Sequence, residues 1–422
     1  MDRRMTRRQV VAKGLAVTGG AVLAGSLGAV RPVVYAQGAK PFRIGAETIL
    51  SGPYGGYGQF AEWGGRLAVD EINRSGGIMG REVLIDFRDE EFKAATTVQN
   101  IRYHVQNWGA DIIIGVDSSG DVLAAAGVMP ELDRMLIVHH AATEKLTEIE
   151  VYQKKNRNVF RVSVPVYQDA IASAIVAKDF YNVKRWATVS PDYEYGYTSW
   201  KMFREALGHF RPDVQFVAES FAKIYTSDFS SHISKVMAAK PDAIFSTQWG
   251  GEAVAFVRQA KLFGMFDSVK ATMLGMGAAM DVLEGLGKDY PDGVWASCRY
   301  WFLQSSTPAN TQFVARFHER WKHYPSYVSE TMYSCVYAAK AAVEKAHGTK
   351  TADLIAALEG MTFETPAGRR VFRAEDHQAV YQVPWGRIAH PSTYSMPIID
   401  NTRVFAATEY YRWPPFTKSF GV

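Results

Sequence analysis

Only two cysteines, Cys298 and Cys335, occur in 422 residues, so no disulfide scaffold and no thiolate-rich metal site organises this chain. A bridge between the two and a pair of separate buried thiols are both compatible with the sequence. The metal-binding pattern H-E-x-x-H, the nucleophile elbow G-x-S-x-G and the phosphate loop G-x-x-x-x-G-K-[ST] are all missing. Their absence argues against an enzyme, and neither a cofactor nor a metal is expected. Charge of one sign is scarce as well: six of the 47 basic residues but one of the 43 acidic ones fall in the first 36 positions, which leaves the remainder at a net charge of −1. A near-neutral chain without a basic stripe offers little to a polyanion, so nucleic acid is not an expected partner. Hydrophobic residues at 47% and charged residues at 21% match soluble globular averages, and the length suits two or three domains.

The basic excess reads as an export signal. Thr6-Arg7-Arg8-Gln9-Val10-Val11-Ala12-Lys13 resembles the twin-arginine consensus, with Arg7 and Arg8 as the pair. A mildly apolar, glycine-rich run from Gly14 to Val30 follows, too weakly hydrophobic for a spanning helix, and Val34-Tyr35-Ala36 ends in a small-residue cleavage pattern. Residues 1–36 are therefore expected to be a twin-arginine signal peptide, with a mature chain from near Gln37 in the periplasm. No cysteine stands near the cleavage point, so an attached lipid is not expected.

From Phe42 onward, short apolar runs alternate with segments of helical period, the pattern of βα units around a parallel sheet. Strands are expected at Phe42–Ile49, Glu82–Arg88, Ala110–Val116 and Met135–His139, with helices at Gln59–Arg74 and Ala94–Asn107 between them. After Phe160 the rhythm restarts with strands at Arg185–Ser190, Val214–Ser220 and Ala243–Thr247. Ala110-Asp111-Ile112-Ile113-Ile114-Gly115 is echoed by Pro241-Asp242-Ala243-Ile244-Phe245-Ser246, which suggests two related halves. Two long helical stretches, Thr311–Lys322 and Glu330–Ala346, and a β-like, proline-containing tail then break the rhythm and are expected to complete both halves. The fold class is α/β: two doubly wound lobes, the first from residues 41–163 and 296–378, the second from 164–295 and 379–422.

Ligands of open parallel sheets lie beyond the carboxyl ends of the strands. Those positions hold Tyr54 and Tyr57 in a glycine-rich turn, Ser118, Ser119 and Gly120, then Ala141, Ala142 and Thr143 behind His139 and His140. The second half contributes Tyr193, Tyr195, Trp249 and Met276. Hydroxyls and helix-start N–H groups receive a carboxylate without carrying charge, and the aromatic residues supply an apolar wall. The paired histidines read as structural, since no third metal ligand stands nearby.

At these residues the sequence resembles the type I periplasmic solute-binding proteins of branched-chain amino acid ABC transporters. The resemblance rests on Ser51-Gly52-Pro53 with Tyr57-Gly58, Asp70 to Gly80, Gly115 with Ser118-Ser119, Ala141-Ala142-Thr143 with Leu146-Thr147, Tyr195-Gly196 and Arg258-Gln259-Ala260. It implies the type I periplasmic binding protein fold, with three crossovers joining the lobes and hinge closure on a solute. It further implies a monomer that docks on an inner-membrane permease, a ligand carboxylate at Ser118, Ser119, Ala141 and Thr143, and a wall of Tyr57, Tyr195 and Trp249. Met276 stands where amino-acid binders of the family place an acid for the ligand's ammonium group. The expected ligand is accordingly a small carboxylate, aromatic and without an amine. Branched-chain amino acids or amides are the alternative ligands, and a sensing module for a kinase or chemoreceptor is the alternative role.

Overall fold

The computed structural model describes Tyr35 and residues 38–417, so the twin-arginine pair and most of the cleavage motif lie outside the described residues. Five parallel strands, β1 (Phe42–Thr48), β2 (Val83–Asp89), β3 (Ile112–Gly115), β4 (Leu136–Val138) and β5 (Val159–Arg161), form a sheet in the order β2-β1-β3-β4-β5. Every residue of the inner strands β3 and β4 is buried, as expected for parallel strands covered on both faces, and the edge strand β5 is fully buried too.

The second sheet repeats this winding. Strands β6 (Arg185–Pro191), β7 (Gln215–Ala222), β8 (Ala243–Ser246), β9 (Ala271–Leu274) and β10 (Trp295–Ser297) run parallel in the order β7-β6-β8-β9-β10. The echoed segments around Ile112 and Ala243 thus hold the same third place in each sheet, which explains their similarity. A small antiparallel sheet of β11 (Thr362–Thr365), β12 (Gly368–Phe372) and β13 (Ala379–Val380) follows. Then β14 (Val383–Ala389) pairs antiparallel with β10, and β15 (Ile398–Phe405) closes that edge. The chain passes between the two large sheets three times: from β5 to β6, from β10 to the helices Pro308–Trp321 and Tyr327–Ala346 packed on Gly55–Arg74, and from β13 to β14.

Most expected elements form within a few residues of their expected limits. The first helix begins at Gly55 because Pro53, inside a short 3-10 turn, starts the helical path early. Strands β5, β9 and β10, of three or four residues, were not among the expected strands. The cysteines are separate: Cys298 and Cys335 are both free and buried, and burial raises both thiol pKa values, which leaves them unreactive. Beyond β15 the chain folds back. The Tyr410 hydroxyl donates to the Tyr381 carbonyl at 2.8 Å, and Arg412 pairs with Glu148 at 3.1 Å.

Helices Gly55–Arg74 and Tyr327–Ala346 approach so closely that a Cβ on Gly64 would lie 2.1 Å from the Ser329 carbonyl oxygen. Gly64→Ala gains up to about 1 kcal/mol of helix propensity, but relieving a backbone clash by separating two packed helices costs about 1–3 kcal/mol or more. A net loss of stability is expected as a lower urea midpoint. An unchanged or higher midpoint would show that the helices separate freely.

Candidate functional site

Each sheet reverses its strand order where two loops diverge, between β1 and β3 in the first and between β6 and β8 in the second, and such points open a crevice at the strand ends. The two crevices face one another across a narrow cavity with about 10 Å³ of water-accessible space. Asp117 and Ser119 enter it after β3, and His140 and Ala142 after β4. From the other side come Tyr193 and Tyr195 after β6, Trp249 after β8, Met276 after β9 and Arg299 after β10.

Local chemistry sets each side chain. Ser118 caps the helix Ser119–Val128, its hydroxyl accepting the Asp121 N–H at 3.4 Å, which places Ser119 in the first turn at the wall. The Ser119 hydroxyl oxygen in turn accepts the Thr143 N–H at 3.2 Å. Thr143 is buried but stands behind the wall: its hydroxyl donates to Glu194 at 3.4 Å and accepts the Lys145 N–H at 3.3 Å. Tyr54 and Tyr57 also form a second layer. Tyr54 stacks on Trp249 with centroids 4.2 Å apart, and Tyr57 meets the same ring edge-on at 5.2 Å. Trp249 donates its indole N–H to the Tyr193 hydroxyl at 3.2 Å. Of the residues singled out in the sequence, Ser119, Ala142, Tyr193, Tyr195, Trp249 and Met276 share the cavity wall, whereas Tyr54, Tyr57, Ser118, Gly120, Ala141 and Thr143 do not reach it.

The buried Asp117 carboxylate is fully engaged. One oxygen receives the Thr48 hydroxyl at 2.8 Å and the Ile49 N–H at 2.6 Å; the other receives the Tyr57 hydroxyl at 2.6 Å and lies 3.0 Å from His139 Nε2. Burial alone would raise its pKa, yet His139, His140 and these donors hold it well below the usual carboxylate range. His140 goes the other way: burial, with the Arg299 charge nearby, lowers its pKa to about 4, so the imidazole is neutral at pH 7. Its Nε2 lies 3.0 Å from the Tyr327 hydroxyl. Among the described residues no cluster of His, Cys, Asp and Glu has the makings of a metal site.

Residues 41–390 match the family model described as periplasmic binding protein. The chain belongs to this family. The periplasmic binding protein is 24% identical over 345 residues to the leucine-, isoleucine-, valine-, threonine- and alanine-binding protein of Pseudomonas aeruginosa, covering 80% of this chain and 87% of that one. A solved structure, the ABC-type branched-chain amino acid transporter from Rhodopseudomonas palustris CGA009, is 26% identical with a TM-score of 0.70, covering 88% of this chain and 98% of the other. The solute-binding protein of an ABC transporter from R. palustris BisB5, in complex with 3,4-dihydroxybenzoic acid, has a TM-score of 0.79 at 21% identity, covering 87% and 98%. The fold is the type I arrangement of two doubly wound lobes, and the family is one of binding proteins.

Three wall residues of this periplasmic binding protein were not among the expected site residues: Asp117, His140, which reads from the sequence as one of a structural pair, and Arg299. The first two stand in the same strand-end turns as the chosen residues. Arg299 follows a strand of three residues, and recognising β10 would have put it under the same rule. Three acids beside the cleft accept from neighbours, although one oxygen of Glu252, like one of Asp121, has no partner among the described residues. Glu194 pairs with Lys145 at 2.9 Å, Glu252 accepts the Tyr225 N–H, and Asp192 accepts from the Tyr197 hydroxyl.

Proposed function

We propose that this chain is the substrate-binding component of an ABC importer, working in the periplasm and closing two lobes on a small carboxylate that is aromatic and lacks an amine. Residues 41–163 with 296–378 make one lobe and 164–295 with 379–422 the other. The three passages between the sheets are the hinge, and the partner is an inner-membrane permease engaged by the monomer. Ser119, Ala142, Tyr193, Tyr195, Trp249 and Met276 touch the solute. Tyr54, Tyr57, Ser118, Gly120, Ala141 and Thr143 hold that wall in place from behind.

The observation that carries the ligand class is Met276, buried and in the wall, where an ammonium group would need an anion. The one carboxylate in the wall, Asp117, already serves four partners, so an α-ammonium would be buried without a counter-ion at a cost of several kcal/mol. A ring, by contrast, gains about 0.5–1.5 kcal/mol from each aromatic contact beyond the area it buries. The complex of the R. palustris BisB5 protein with 3,4-dihydroxybenzoic acid supports an aromatic acid, while the name of the P. aeruginosa relative favours branched-chain amino acids.

Calorimetric titration of ligand-stripped protein with 3-phenylpropionate and phenylalanine separates these readings. The acid is expected to bind at least tenfold tighter, and tighter binding of phenylalanine, leucine or valine would overturn the non-amine assignment.

A further inference from the structure

Arg299 is the one cationic side chain in the cavity wall, and its side chain is almost wholly buried. It lies directly after β10, where the chain leaves the second sheet, and it joins parts of the fold remote in sequence. One terminal nitrogen donates to the His140 carbonyl at 2.7 Å, on the first-sheet side of the cavity. The other donates to Asp169 at 2.7 Å, on the passage from β5 to β6. The rings of Tyr195 and Tyr327 each lie 5.8 Å from the guanidinium carbon. The Nε–H is equally buried and has no protein partner. An unused donor on a buried cation is costly unless an acceptor reaches it, and an anionic acceptor gains most.

Asp169 sets the strength of this cation. One of its oxygens receives both Arg299 and the Tyr195 hydroxyl, the latter at 2.9 Å, while the other has no partner. The carboxylate therefore keeps the guanidinium in place and offsets part of its charge. Asp117, the other carboxylate at the cavity, is engaged by Tyr57, Thr48, Ile49 and His139.

We infer that Arg299 is a specificity-determining residue that reads the ionised acid group of the ligand, so that the site takes carboxylates and turns away the corresponding amides. This inference rests on the aromatic-acid reading above and adds a charge requirement to the hydroxyl and N–H receptor of the first lobe. It also places the charge-sensing group on the hinge, where one side chain bonds the first lobe, one crossover and the solute. Ligand charge would then bear directly on closure.

The test measures binding of 3-phenylpropionate and 3-phenylpropanamide to the full chain, with thermal unfolding of each variant as a check on folding. The parent is expected to favour the acid at least tenfold. In Arg299→Gln that ratio should fall by ten- to a hundredfold, whereas Arg299→Lys, which keeps the charge, should retain an intermediate ratio. Asp169→Asn removes the offsetting charge and keeps the shape, so the ratio should rise even as stability falls; a purely structural role for the pair would not raise it. An unchanged ratio in Arg299→Gln overturns the inference. If that variant does not fold, a ratio that falls or stays constant in Asp169→Asn overturns it instead. Equal binding of acid and amide by the parent removes the role of Arg299 and leaves the aromatic pocket standing, whereas failure of the parent to bind either compound removes both.

Discussion

Asp117→Ala is expected to lower the unfolding free energy by about 3–5 kcal/mol, the cost of removing one partner from a buried charged cluster. The lost carboxylate joins the end of β3 to the chain that follows β1. Without it the Thr48 hydroxyl, the Ile49 N–H and the Tyr57 hydroxyl lose their acceptor, and His139 loses its close anion. Each buried donor left unpaired costs about 1–3 kcal/mol, and no water can replace the acid without room to enter. Asp117→Asn keeps the shape but turns one acceptor oxygen into a donor that faces other donors, so it should cost less than alanine and still be clearly destabilising. Chemical unfolding monitored by tryptophan fluorescence measures both. A change under about 1 kcal/mol for the alanine variant would mean that the cluster contributes geometry without stability.

Stability should fall as pH is raised from 5 to 8. Burial raises the pKa of Glu47, Glu148 and Glu252 to about 7 and that of Asp121 to about 6, from ordinary values of 4.5 and 3.8. Between the unfolded and folded values the native state holds protons that the unfolded chain has released. Their stabilisation is therefore complete below about pH 4 and is lost as pH climbs through 6 and 7. His140 has the opposite sign: a folded pKa of about 4 against 6.5 means that the unfolded chain binds the extra proton, so this group adds stability as pH rises from about 4 to 6.5. These carboxyls, joined by Asp281, raised to about 7 by burial, outweigh His140 and the likewise lowered His232 and His377, and above about pH 6.5 the imidazoles no longer change. At about 1.4 kcal/mol per unit of pKa difference, discounted for mutual coupling, the net loss is about 3 kcal/mol or more. Urea titrations at pH 5, 6.5 and 8 check the sign. A midpoint that stays level or rises would show these carboxyls to be ionised in the native state. Asp117 plays no part in this window, since its pKa lies below the usual range.

The candidate site was legible where a side chain's neighbours in sequence decide its placement. Ser118 and Ser119 follow a fully apolar strand, so one of them had to cap the next helix and the other to stand in its first turn. Which hydroxyl meets the cavity was not legible. Thr143 is withdrawn by the N–H of Lys145, two residues on, and by Glu194, which reaches it only when the second sheet is in place. Tyr54 and Tyr57 look like wall residues in a flexible turn, but Trp249 from the other sheet lies across them and takes the inner position. His140 reads as one of a structural pair until the Arg299 guanidinium, bonded to its carbonyl, is seen beside it.

The sequence by itself determined that the chain alternates strands and helices, that it does so twice in similar form, and that small, hydroxylated and aromatic residues follow the strands. These properties depend on local period and on which residues cap helices, and both are written within a dozen positions. Only the tertiary structure decided which of those residues meet, because the meeting depends on how two separately wound sheets face one another. Arg299 shows the difference most clearly. It stands 159 positions from His140 and 130 from Asp169, yet bonds both, since three crossings of the chain bring the ends of β4 and β10 and the β5–β6 passage to one point. No local pattern encodes that convergence, because the distance between such residues is set by strand order and crossover geometry, not by their own side chains.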